Sequence, residues 1–184
     1  DFDAPLDLDS PDVWLMAEAV CAETNAVRAA HGLKPLAAHG KLDDAAAGHA
    51  DRMAKFDFFD HEDPYVPHLR TPSDRLGAAG VSNPKAAENI ATESGLAVGS
   101  NQRVTVIDRD RHQYAWPDGR PVEVHTARTF AQSVVARWMD SPGHRRNILA
   151  AEANSIGCGV AQKSADGFGD FTAVQVFQWF EPPR

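Results

Sequence analysis

The sequence predicts an α+β fold in one domain. Apolar residues recur at helical spacing in three long stretches, while the tail switches to strand-like alternation. With 184 residues and 43% hydrophobic content, the chain can bury one substantial core, and its length forces no second.

The elements follow in order. Residues 1–10 carry Asp1, Asp3, Asp7 and Asp9 with Pro5, and read as an acidic, solvated leader ahead of a domain over 11–184. Ser10-Pro11-Asp12 looks like a helix start, with Ser10 as the capping hydroxyl. Val13, Ala17, Val20, Thr24 and Val27 then mark a helix to about Ala30, which Gly32 can end. A second helix runs from about Lys41 to Lys55, with Leu42, Ala45, Ala46, His49 and Met53 on one stripe. Pro64 blocks regular continuation after His61. Thr71-Pro72-Ser73-Asp74 opens a short helix that Gly80 closes, a further helix covers Thr126 to Met139, and Ser141-Pro142-Gly143 starts one more turn or two. Ser155–Gln162 and Phe171–Phe180 alternate as strands around a turn at Ala165-Asp166-Gly167, which makes an antiparallel hairpin. Between these, residues 92–124 lose helical periodicity. Val104–Ile107 and Val122–Val124 are strand-like there, Trp116-Pro117-Asp118-Gly119 turns, and the stretch reads as a surface hairpin insertion.

Composition narrows the partners. A net charge of -8, from 26 acidic and 18 basic residues, argues against nucleic acid, because phosphates are met by clustered Lys and Arg. No apolar run reaches the roughly 18 residues of a membrane span, so the chain does not read as an integral membrane protein. The acidic, patch-poor surface fits a soluble monomer. The first residue is not methionine, which fits a processed, exported chain. Cys21 and Cys158 are too few for a disulfide framework. They read as two separate buried thiols, with a single bridge as the alternative in an exported protein.

Three groups of residues carry a resemblance. Asn25-Ala26-Val27-Arg28 precedes Gly32-Leu33-Lys34-Pro35-Leu36. Ala87-Glu88-Asn89-Ile90-Ala91 follows. Trp138-Met139-Asp140-Ser141-Pro142-Gly143-His144-Arg145-Arg146-Asn147-Ile148-Leu149 then leads to Ile156-Gly157-Cys158-Gly159-Val160. In this order and spacing the chain resembles the cysteine-rich secretory protein, antigen 5 and pathogenesis-related superfamily in its compact bacterial form. The resemblance implies a three-layer α-β-α sandwich around a central antiparallel sheet, a secreted or periplasmic location, and a cleft where two histidines and two acids converge. His61, Glu88 and His144 match three cleft positions. The second acid has no counterpart beyond Asp140, which either stands in or leaves the position empty.

Two neutral imidazoles and a carboxylate suit a divalent ion such as zinc, so His61, His144 and Glu88, with Asp140, form a candidate metal set. The same residues also suit an acid-base pair without metal, or a structural network. No cofactor is required by any motif. His61-Glu62-Asp63-Pro64-Tyr65 lacks the second histidine of a metalloprotease helix. Ser141 reads as a cap rather than a nucleophile, and Asp108-Arg109-Asp110 lacks the remainder of a calcium loop. Of the other histidines, His49 reads as core and His68 as a rim candidate, while Arg75 and Arg145 read as loop ties. The function that follows is a binding module for a small molecule, lipid or cell-envelope protein, with a metal-assisted peptidase or other hydrolase as the alternative.

Overall fold

The structure, a computed structural model, describes residues 1–99, 101–164 and 167–179. Helix α1 spans Val13–Ala30 and is capped by Asp12, whose carboxylate accepts from Leu15 N; the cap is therefore not Ser10. Strand β1 (Ala37–Ala38) leads into α2 (Gly40–Phe56), and a single 3-10 turn at Pro67–Leu69 precedes α3 (Pro72–Ala78). Thr71 and Asp74 close a reciprocal capping box on α3, as the cap-then-proline pattern anticipates. Strand β2 covers Ala86–Ser94, and β3 (Thr105–Asp108) pairs with β4 (Gln113–Ala115). Helices α4 (Ala127–Asp140) and α5 (Pro142–Ile148) precede β5 (Ser155–Ser164) and β6 (Asp170–Gln178).

The main sheet has the order β1-β5-β6-β2. Both long pairings are antiparallel, as expected for the tail hairpin, but β1 joins β5 in parallel, so the sheet is mixed. Every residue from Phe171 to Gln178 is buried because β6 is central and covered on both faces. Phe171, Ala173 and Phe177 enter one core with α1 and α4, including Phe130 and Trp138. Val174 and Val176 enter the other, against Leu42, Ala46 and Met53 of α2. Helices thus lie on both faces of the sheet. A Cβ on Gly157 would run into the Leu42 and Asp43 backbone, and one on Gly159 into Ala46 and Ala47, which is how α2 comes to lie so close to β5.

Several expectations need correction. Residues 1–10 are not a free leader: Leu8 is buried, Phe2 and Leu6 pack on the α1/α4 core, Leu6 N donates to His125 O at 2.8 Å, and Arg128 pairs with Asp3. Phe2, Leu6 and Leu8 supply apolar surface that outweighs the acidic character of the stretch. Cys21 and Cys158 form a disulfide joining α1 to β5, not two thiols. The region after β2 also differs. Residues 92–94 belong to β2, the hairpin partner of β3 is β4 rather than 122–124, and Leu96, Tyr114 and Val122 are core residues, so the insertion is anchored rather than purely superficial. Ala165 and Asp166 of the expected turn, and Phe180 at the expected strand end, lie outside the described residues.

Candidate functional site

Glu88 is the centre of the candidate site. It lies on β2, next to the α2 layer, and is 6% exposed. A carboxylate so placed needs partners on both oxygens. Oε1 accepts from His61 Nδ1 at 2.8 Å, and Oε2 accepts from Arg75 Nη2 at 2.6 Å. A third basic group stands behind them: His49 Nε2, on α2, is 3.9 Å from Oε1 and donates to the Asp60 carbonyl at 2.9 Å. That bond leaves His49 Nδ1 buried without a partner among the described residues.

The loop carrying His61 is held by two ties. Arg75 donates to the carbonyls of Leu69, Arg70 and His61 as well as to Glu88, so one guanidinium fixes both the loop and the carboxylate it presents. Asp63, buried, is bound by Arg52 through both oxygens and accepts from the Tyr65 and Val66 amides. The Arg52 guanidinium holds the Asp63 carboxyl down at about 2.

His144 comes from the start of α5. Asn89 Nδ2 donates to the His144 carbonyl at 3.3 Å and to Gln175 Oε1 at 3.2 Å, while Asn147 Nδ2 donates to Asn89 Oδ1 at 2.8 Å. Gln175 in turn donates to Thr24 on α1. This buried amide chain fixes α5 against β2, leaving the His144 ring half-buried.

The electrostatics separate the histidines. The bond to Glu88 raises the His61 pKa above its ordinary value against some burial. Burial lowers His144, and the nearby positive form of His61 lowers it further. Burial also lowers His49, outweighing the pull of Glu88. With Nδ1 donating to Glu88, His61 presents Nε2 as its open nitrogen on a ring that is 48% exposed.

The structure therefore joins His61 to Glu88 and places His144 in electrostatic reach, but it joins no third metal ligand. Both Glu88 oxygens are taken by His61 and Arg75, Asp140 is exposed at the end of α4, and no group of three His, Cys, Asp or Glu among the described residues is arranged to hold a metal. His61, Glu88 and His144 are therefore not assembled as a direct three-ligand set. Glu88 serves instead to orient His61. His68 lies exposed on the 3-10 turn, and no hydrogen bond among the described residues links Ser141 to His144. Reading His49 as core captures its burial and misses its nearness to Glu88. Its place on the same apolar stripe as Met53 hides that contact, which arises only when α2 is laid across the sheet that carries Glu88. A cavity of about 800 Å³ lies elsewhere, near Glu93, where Ser133 and Arg137 bind that carboxylate.

The family model described as CAP, cysteine-rich secretory protein family, matches residues 21–177. The uncharacterized protein YkwD of Bacillus subtilis is 28% identical over 142 residues, which cover 77% of this chain and 41% of that one. The chain thus spans about two fifths of that relative's length. Among solved structures, an extracellular protein with an SCP domain from Bacillus anthracis superposes with a TM-score of 0.64 at 24% identity, covering 95% of this chain and 44% of that one. An outer surface protein of Borrelia burgdorferi gives 0.58 at 14% identity, covering 91% and 95%. A cysteine-rich secretory protein of Staphylococcus aureus gives 0.52 at 15%, covering 90% and 38%. These likenesses bear out the α-β-α architecture.

Proposed function

We propose, from the premise that the chain belongs to the cysteine-rich secretory protein (CAP) family, that it is an extracytoplasmic binding module whose cleft at His61 and His144 takes a small polar molecule or a lipid headgroup. The observation that carries this reading is the full engagement of Glu88. With Arg75 and His61 on its two oxygens, the carboxylate holds one imidazole in a fixed orientation and leaves His61 Nε2 free to hydrogen-bond a polar ligand group. No hydroxyl or thiol nucleophile is hydrogen-bonded to either ring among the described residues, and both cysteines are in the disulfide. A secreted or periplasmic location is supported by that disulfide, because such bonds persist in oxidising compartments. No helix among the described residues is long and apolar enough to cross a membrane.

A second reading, hydrolysis, draws on one observation: a histidine oriented by a carboxylate is also how a general base is held. Native mass spectrometry of protein recovered from envelope extracts separates the two. Retention of a small molecule that His144→Ala loses supports the binding module. Cleavage of a broad peptide library that depends on His144 supports the hydrolase and overturns the binding reading. Zinc belongs in the same experiment, and displacement of the retained molecule by zinc would extend the ligand class to divalent ions.

A further inference from the structure

The two edges of the main sheet are finished differently. On β2 three outward carbonyls are met from α4 and α5: Glu88 O accepts from Asn147 at 3.4 Å, Ile90 O from the Trp138 indole at 3.0 Å, and Thr92 O from Arg137 at 2.5 Å. Helices α4 and α5 therefore cover that edge at Glu88, Ile90 and Thr92. On β5 the cover stops early. Strand β1 pairs only with Ser155 and Ile156, and the chain then turns away into α2. Its last contributions are Ala37 N to Asn154 O at 2.9 Å and His39 N to Ile156 O at 3.2 Å, so even-numbered residues of β5 present their backbone to this edge. Cys158 keeps the pattern, its N–H being taken by Asp43 Oδ1 at 3.0 Å. Val160 and Gln162 come next. Among the described residues, nothing bonds their outward N–H and C=O groups.

An unpaired strand edge is a template for another strand. This one lies at the bottom of a groove rather than on an open face. Cavities of about 240 Å³ and about 390 Å³ meet at Trp14 and Ala17 of α1. The first is floored by Gly159–Gln162 and walled by Ala47 and Asp51 of α2. Asp51 lines the first cavity, and Asp12, Glu18 and Asp43 line the second. No Lys or Arg lines either among the described residues. At the mouth stands Trp14, 62% exposed, the most exposed tryptophan described and well placed to receive a cation on its ring.

We infer that the β5 edge between α1 and α2 is a strand-addition site for an extended, Lys- or Arg-bearing peptide segment of a partner protein. Main-chain bonds to Val160 and Gln162 supply the pairing, and the four acids with Trp14 supply the preference for a cationic sequence. At about 3.3 Å per residue, the stretch from Gly159 to Gln162 accommodates about four residues of partner chain. The site lies at the opposite sheet edge from Glu88 and does not depend on what the histidine cleft takes.

The test uses isotope-labelled protein and a capped hexapeptide alternating lysine with valine. The expected result is movement of the Val160 and Gln162 amide signals, with their hydrogen exchange slowed about tenfold or more. A glutamate-for-lysine peptide and an N-methylated peptide should each bind about tenfold more weakly, and Trp14→Ala or Asp51→Lys should weaken the lysine peptide while leaving the rest of the spectrum in place. Three results overturn the inference. One is no movement of those amides at about 1 mM peptide. Another is equal binding of the glutamate peptide. The third is slowing of Val160 exchange with protein concentration alone, which would give the edge to a second copy of this chain.

Discussion

Arg75 donates through Nη2 to Glu88 Oε2 at 2.6 Å, with both side chains buried, while its other bonds tie down the backbone that carries His61. Loop geometry and site charge are therefore set by one side chain. Removing it leaves Glu88 as a buried charge with half-exposed His61 and buried His49 beside it but no guanidinium, a situation that costs about 3–5 kcal/mol.

Arg75→Met is accordingly expected to lower unfolding free energy by about 3 kcal/mol or more in a denaturant titration. Adding Glu88→Gln to it should recover part of that loss, because the orphaned charge is gone. Equal destabilisation in the single and double variants would show that Arg75 acts on the loop alone.

The His61–Glu88 bond makes a pH prediction. Because the folded pKa of His61 is raised, its contribution to stability is fully present below its unfolded value near 6.5 and is lost as pH rises through the higher folded value. Imidazole NMR should give a His61 pKa above 6.5, and Glu88→Gln should bring it down. A His61 pKa unchanged by that substitution would detach the two residues.

Asp63 works at the acid end and with the opposite sign. Its folded pKa of about 2 lies below the ordinary 3.8, so its contribution, about 2 kcal/mol, is present above pH 3.8 and is lost as pH falls toward 2. Asp63→Asn should flatten the acid limb of the stability curve over that window and lower stability at neutral pH. Since Asp63 also holds the Tyr65 and Val66 amides, the His61 signals should broaden or shift in the same variant.

The disulfide spans 137 positions in sequence and ties α1 to the β5 strand. Closing a loop of that order restricts the unfolded chain by about 5 kcal/mol. Cys21→Ser with Cys158→Ser should lower the unfolding free energy by about that amount, and reductant should do the same to the native chain. A native midpoint insensitive to reductant would contradict the pairing.

The sequence made most of this legible where local physics decides. Thr71 caps where a hydroxyl precedes a proline and an acid, and Phe171 onward reads as strand from period and composition. His61, Glu88 and His144 emerged from motif resemblance, and the fold brings the first two into contact. What stayed hidden depends on pairing across long separations. Strand β2 looked like a motif rather than an element, since Ala86–Ser94 mixes Glu and Asn with small residues that become strand only beside β6. His49 joins Glu88, and Cys21 meets Cys158, only once α2 and α1 are laid on opposite faces of one sheet. The acids around Phe2, Leu6 and Leu8 mask them in the sequence, although burial follows the apolar side chains.

The binding reading is tested most directly at the two rings themselves. Labelled protein would be presented with a set of small polar molecules and short-chain phospholipids while the imidazole signals of His61 and His144 are followed and the mixtures assayed for turnover. The expected result is a ligand that moves both rings together, with the Nδ1–H form of His61 retained, no product released, and the effect lost in His144→Ala. Rings that no member of the set moves, or His144-dependent product formation, would contradict a binding cleft at His61 and His144.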